Sequence, residues 1–135
     1  MTGPAPAGVL CVGNIVFDVL VRPVDRLDWG TTTWVEAIEQ HLGGNGANTS
    51  SALARLGVPV RLLGTIGNDT PGDQLLAALR AAGVDTAHMS RSDAPTPTTV
   101  ALVNSAGERL FLHRPQIRLR TDPFPGARAS LPEGA

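Results

Sequence analysis

A single cysteine, no basic run and no long apolar stretch are what this sequence first withholds. One cysteine excludes an internal disulfide framework. It lies within Val9-Leu10-Cys11-Val12 and reads as a small buried hydrophobe, because no neighbour there would lower its pKa. No apolar run approaches the ~18 residues of a membrane span, so a membrane protein is not expected. The opening MTGPAPAG has neither the basic region nor the apolar stretch of a signal peptide, and a cytoplasmic chain is expected. Eleven basic against twelve acidic residues leave a net charge of −1. With no basic cluster, nucleic acid is not an expected partner. The three histidines share no metal-ligand spacing, and beside one cysteine they predict no metal site.

What remains is 135 residues, 42% of them hydrophobic, enough for one domain that buries roughly two-thirds of its unfolded surface. The 15 glycines and 11 prolines punctuate the chain without making it low-complexity. After an irregular lead over residues 1–8, the run ending at Gly13-Asn14 reads as a strand buried on both faces. Phe17 to Arg22 and Thr31 to Glu36 partly alternate and read as a pair of half-exposed antiparallel strands. An alanine-rich helix then runs through Leu56, with Ala52, Leu53 and Leu56 on one face and Gly57 at its end. Trp29 and Trp34 flank the second β segment and read as packing residues.

Val58 to Gly64 predicts a further strand, with Pro59 near its start. In the next helix Thr70 serves as cap, Pro71 as first residue and Asp73 as the capping-box acid. Leu75, Leu76, Leu79 and Ala82 form its apolar face before Gly83; Asp69 reads as a turn or cap residue. Thr98 to Val103 and Arg109 to His113 form a hairpin candidate across Asn104 to Glu108. Strands alternating with helices give an α/β fold, and the half-exposed hairpins a small β appendage. From Gln116 to Ala135 no period of 2 or 3.6 exists, and a loosely ordered tail is expected.

Chemistry concentrates at Leu42-Gly43-Gly44-Asn45-Gly46-Ala47-Asn48. Glycines there permit a tight turn and leave N–H groups unshielded, and at a helix start these can donate to a hydroxyl or an anion. A flexible loop is the plainer reading. No Gly-Lys-Ser/Thr follows, so it is not a Walker loop. Thr49 stands where a dinucleotide fingerprint needs its third glycine.

The wider spacing is more specific. Gly43-Gly44, Gly46, Asn48, Ser50, Gly57 and Gly67, within GGNGANTSSALARLGVPVRLLGTIG, resemble the N-terminal signature of the ribokinase-like (PfkB) sugar kinases. Val12-Gly13-Asn14 with Asp18, the turn Gly67 to Gly72, and Thr98 to His113 resemble that family's first strand, helix entry and lid strands. The resemblance covers about residues 9 to 114. It implies a ribokinase-like α/β sheet with a small β-sheet lid, residues 9–115 forming its N-terminal part, truncated before the C-terminal half.

By the same resemblance Asp18, Gly43, Gly44, Asn45 and Asn48 contact a sugar or nucleoside. A carboxylate suits this as an acceptor-only group, and an amide both donates and accepts. Ribokinase itself carries asparagine where Val16 stands here, which weakens any claim for ribose. The family implies ATP and Mg2+, but its Gly-Ala-Gly-Asp segment, with the catalytic base and most of the ATP site, is not found here, so no catalytic residue is assigned. Two function classes follow: part of a sugar or nucleoside kinase, or a non-catalytic sugar-binding remnant that needs a separate C-terminal half. A dinucleotide-binding domain is a third. Lid strands of the family often pair between subunits, so a homodimer through them is expected.

Overall fold

A computed structural model describes residues 8–114. The tail over 116–135, and the lead apart from Gly8, lie outside the described residues. The first strand, β1 (Val9–Val12), pairs in parallel with a later strand over Val60–Leu63, in a register from Val9↔Val60 to Val12↔Leu63. The expected burial on both faces is not met. Cys11 is buried, as read from the sequence, but Val12 is 58% exposed, because β1 has one strand neighbour among the described residues.

Two further strands follow β1: β2 (Val16–Arg22) and β3 (Ala37–Gly43), antiparallel from Val16↔Gly43 to Arg22↔Ala37. The second strand of this pair is therefore not Thr31 to Glu36, as its threonines suggested. That segment forms no strand, and Trp29 and Trp34 stand almost fully exposed rather than packed. β-propensity is largely a statement about packing, and the threonine segment has no surface to pack on. Residues 37–43 do: Leu42 joins the core and Glu39 pairs with Arg22 at 3.1 Å.

Helix α1 (Asn45–Arg55) follows directly from β3. Its buried side is Gly46, Ala47, Ser50 and Ser51; of the expected face Leu53 packs partly buried against the core, whereas Ala52 is exposed and Leu56, the C-cap, is 78% exposed. Small residues replace the expected leucine face because the helix start lies directly against the turn after β1: a Cβ on Gly46 would sit 2.7 Å from the Gly13 carbonyl carbon. Gly57 takes φ 79°, as a glycine after a helix end does. β4 (Val60–Leu63) and β5 (Thr65–Gly67) then lead to α2 (Thr70–Ala81).

The cap of α2 is Asp69, a cap role the sequence also allowed it, rather than Thr70. Asp69 Oδ1 accepts from the Gly72 N–H at 3.0 Å and from the Thr96 hydroxyl, and Oδ2 accepts from the Thr96 N–H at 2.8 Å. Asp73, expected in a capping box, is instead ion-paired with Arg91 at 2.6 Å. Leu75 and Leu79 are buried, with Leu76 and Ala82 partly so, as the periodicity predicts. They complete a core with Cys11, Ile15, Phe17, Ala47, Val60, Leu62, Ile66 and Val84. Each fully buried leucine contributes about 2 kcal/mol of transfer free energy.

After the short strand β6 (Ser90–Ser92), parallel to β5, come β7 (Thr98–Val103) and β8 (Arg109–His113), the expected hairpin. β7 runs parallel to β2 from Phe17↔Thr98 to Val21↔Leu102. The two hairpins thereby become one four-stranded sheet of order β3-β2-β7-β8. This sheet, joined to the helix-bearing part through Phe17, Val19 and Leu42, positions the site.

Candidate functional site

Successive side chains of a strand alternate between faces, and directly paired residues share a face. The registers His41↔Asp18, Asp18↔Thr99 and Thr99↔His113 therefore set four polar side chains in one row across the sheet. Asp18 is half-buried at its centre. Burial pushes its carboxyl above the ordinary aspartate range, opposed by hydrogen bonding from Thr99 and by the nearby histidines 113 and 41. Thr99 Oγ1 and His113 Nδ1 are 2.8 Å apart. On the other flank His41 Nε2 lies 3.5 Å from Glu39 Oε2.

Gly43 is required by this arrangement. A Cβ there would fall 2.0 Å from Asp18 Oδ2, so the carboxylate rests on bare backbone. Gly44, the N-cap of α1, has φ 90°, and a Cβ on it would fall 2.3 Å from the Asn14 carbonyl oxygen. Only glycine meets both conditions without strain.

Asn45 turns inward. Its Oδ1 accepts from the Asn14 N–H at 2.9 Å and from the Gly46 N–H at 2.8 Å, tying the turn after β1 to the helix start. The Asn14 carbonyl accepts from the N–H groups of Gly46 and Ala47, and the Gly44 carbonyl from that of Asn48. The amides of residues 46, 47 and 48 are thus bonded within the turn rather than left as donors for a ligand. The glycines of this turn serve close approach of backbone to backbone and to the Asp18 carboxylate. Asn48 lies exposed in the first turn of α1, and Gly44 caps the helix.

The structure therefore brings Asp18 and Gly43 into contact and places Gly44 and Asn45 immediately beyond. Asn48 follows one turn along α1, its carboxamide outside these bonds. Sequence reasoning did not include Thr99 and His41; His113, ending a strand-like run, reads as a surface histidine that could approach a ligand, and it is exposed. Alternation assigned Thr99 and His113 their faces, His41 lay outside every expected strand, and the pairing that aligns all three with Asp18 is a long-range property. The concavity of about 420 Å³ lined by Val9, Pro59, Val60, Arg61 and Asp85 lies at the β1–β4 pair and includes none of these residues. Among the described residues no group of three or more His, Cys, Asp or Glu is placed to hold a metal ion.

The sequence pattern of the pfkB family carbohydrate kinases matches residues 7–123. The chain belongs to the pfkB family of carbohydrate kinases. It is 34% identical over 95 residues to a fructokinase of Rhizobium leguminosarum bv. trifolii, covering 70% of this chain and 26% of that one. It is 31% identical over 100 residues to a ribokinase of Bacillus subtilis, covering 74% and 34%. The structure of Arabidopsis thaliana ribokinase complexed with ribose and ATP matches with a TM-score of 0.73 at 25% identity, covering 82% of this chain and 36% of that one. The fold is thus ribokinase-like, as the sequence implied. This pfkB chain spans between a quarter and just over a third of the length of those three relatives.

Proposed function

We propose that these residues form the substrate-hydroxyl-binding face of a kinase that transfers the ATP γ-phosphate to a hydroxyl of a sugar or nucleoside. The observation that carries the reading is the half-buried Asp18 carboxylate, seated on Gly43 in the His41–Asp18–Thr99–His113 row. An ionised carboxylate accepts from two neighbouring hydroxyls, and partial burial strengthens each such bond. The β3-β2-β7-β8 sheet serves as the lid. Gly43 and Gly44 let substrate and backbone approach closely, Asn45 holds the turn that presents them, and the exposed Asn48 amide adds a donor and an acceptor.

ATP and Mg2+ supply the transferred group and neutralise its charge. We place both ligands, with the catalytic base, on segments outside the described residues. The second reading, a binding module that acts only with a separate C-terminal half, is favoured by the chain's share of its relatives' length. ATP turnover by the chain alone would exclude it. Turnover that appears only on adding a relative's C-terminal half would support it.

A cytoplasmic setting fits this chemistry. A second copy of the chain is a further proposed partner. The sheet face opposite Asp18 carries Ile38, Leu110 and Leu112, all more than half exposed, beside Val21, Val100 and Leu102. Thermal unfolding with a panel of sugars and nucleosides tests the substrate role. A ligand at a hundred times its dissociation constant adds about 2.7 kcal/mol and raises the midpoint by several degrees. One class should shift the wild type and leave Asp18→Ala unmoved; an equal shift in both would refute the role of Asp18.

A further inference from the structure

We infer that His113 is a positioning residue: through Thr99 it orients the Asp18 carboxylate, so that imidazole, hydroxyl and carboxylate form one donor-to-acceptor chain across three strands. Asp18 on β2 is paired with Thr99 on β7, and Thr99 with His113 on β8. The Thr99 hydroxyl stands 2.8 Å from His113 Nδ1 and, on the same face opposite Asp18, is the hydrogen-bonding neighbour that acts to lower the Asp18 carboxyl pKa.

The direction of the chain follows from what each group can do. An ionised carboxylate only accepts, so the single Thr99 proton points to Asp18. The Thr99 oxygen must then accept from His113, which requires the proton on Nδ1. A neutral imidazole carries one N–H, so Nε2 is left as an acceptor. The chain thus fixes which Asp18 lone pairs stay open to a ligand and gives the row a second acceptor at its far end.

The opposite flank is different. His41 also faces Asp18, from β3, but its Nε2 is turned to Glu39, which is itself paired with Arg22. Arg109 shares the face with His113 but lies four residues along β8, opposite Val103. Among the described residues, His113 is the titratable group around Asp18 whose ring bonds the hydroxyl of Thr99, the residue paired with Asp18. In function the inference deepens the substrate reading of Asp18 and rests on it; the tautomer and the hydrogen-bond direction do not.

Ring-nitrogen NMR of the full chain at neutral pH, without sugar, tests the chain directly. The Nδ1–H tautomer is expected for His113 and should be lost in Thr99→Val but kept in Thr99→Ser. An Nε2–H tautomer in the wild type, or no change in Thr99→Val, would overturn the inference. Should the valine variant fail to fold, two substitutions at His113 decide instead. Asparagine puts an N–H near Nδ1, whereas glutamine reaches towards Nε2. His113→Asn should keep the sugar-induced midpoint shift, and His113→Gln should weaken binding roughly tenfold, the scale of one hydrogen bond. Equal behaviour of the two would overturn the positioning role. An Nδ1–H tautomer in a chain that no sugar stabilises would uphold the hydrogen-bond chain and refute the substrate reading of Asp18.

Discussion

At Asp18 the needs of the fold and of the proposed ligand conflict. Burial raises its carboxyl pKa, and the Thr99 bond and the two histidines offset that only in part. A carboxyl raised above its unfolded value disfavours the folded state once ionised. The penalty is absent below the unfolded pKa, near ~4, and is complete above the raised folded one. Asp18→Asn should therefore unfold at a higher temperature than wild type at pH 7, with the gain gone in acid, while losing its response to sugar. In the wild type the sugar response itself should fade as pH falls through the raised pKa, at a higher pH than an ordinary aspartate would give. Calorimetric scans from pH 4 to 8 check both, and a destabilised Asp18→Asn at neutral pH would count against the account. At this scale the sequence was informative wherever one residue had to be one type. Gly43 and Gly44 stood out by their spacing, and each is required by a single close approach. Thr99 and His113 could not stand out, because what makes them part of the site is a β register that no local pattern specifies.

The elements were read correctly where capping and periodicity agreed, and misread where burial overrode propensity. Helix α2 was found with its apolar face, but its cap lay one residue earlier. The sequence shows Thr70-Pro71 as a capping pair, whereas the structure uses Asp69 because Thr96, far along the chain, returns two further bonds to the same carboxylate. Thr96 is fully buried, and its hydroxyl also accepts from the Gly67 N–H at 2.9 Å. Asp69→Ala would remove the cap and strand both Thr96 donors, costing about 2 kcal/mol and several degrees of midpoint. A loss under a tenth of that would show that the α2 start is held by packing alone. Burial acts to raise the Asp69 carboxyl, but the Thr96 and Gly72 bonds outweigh it and hold the pKa below the usual value. Its stabilisation is therefore present above the unfolded pKa and is lost as pH falls through the lower folded one. Asp69→Asn should lose that part of the acid dependence. In α1 and β3 the expected and observed faces diverged because small residues at 46–51 allow close packing that hydrophobic periodicity does not register, and because strand position followed cross-strand partners rather than threonine content.

Across the whole molecule, the α/β class and the β appendage were legible from the order of elements alone. That the appendage is one sheet was not, since the parallel β2–β7 pairing joins segments some eighty residues apart. Beyond the end that packs on the core through Phe17, Val19 and Leu42, the face opposite Asp18 leaves Ile38, Leu110 and Leu112 uncovered, an apolar surface of the kind that marks an interface. Light scattering should give twice the 14.0 kDa of one chain, and Ile38→Asp or Leu110→Asp should return it to the single-chain mass. A wild-type chain that stays at the single mass at high concentration would refute the proposed pairing. None of this bears on whether Asp18 binds a sugar. The most direct test of that claim is a map of backbone amide shifts as the stabilising sugar or nucleoside is added. The account predicts saturable changes concentrated at Asp18, Gly43 to Asn48, Thr99 and His113. Changes confined to the β1–β4 pair around Val9 and Arg61, or none with any ligand of the panel, would contradict it.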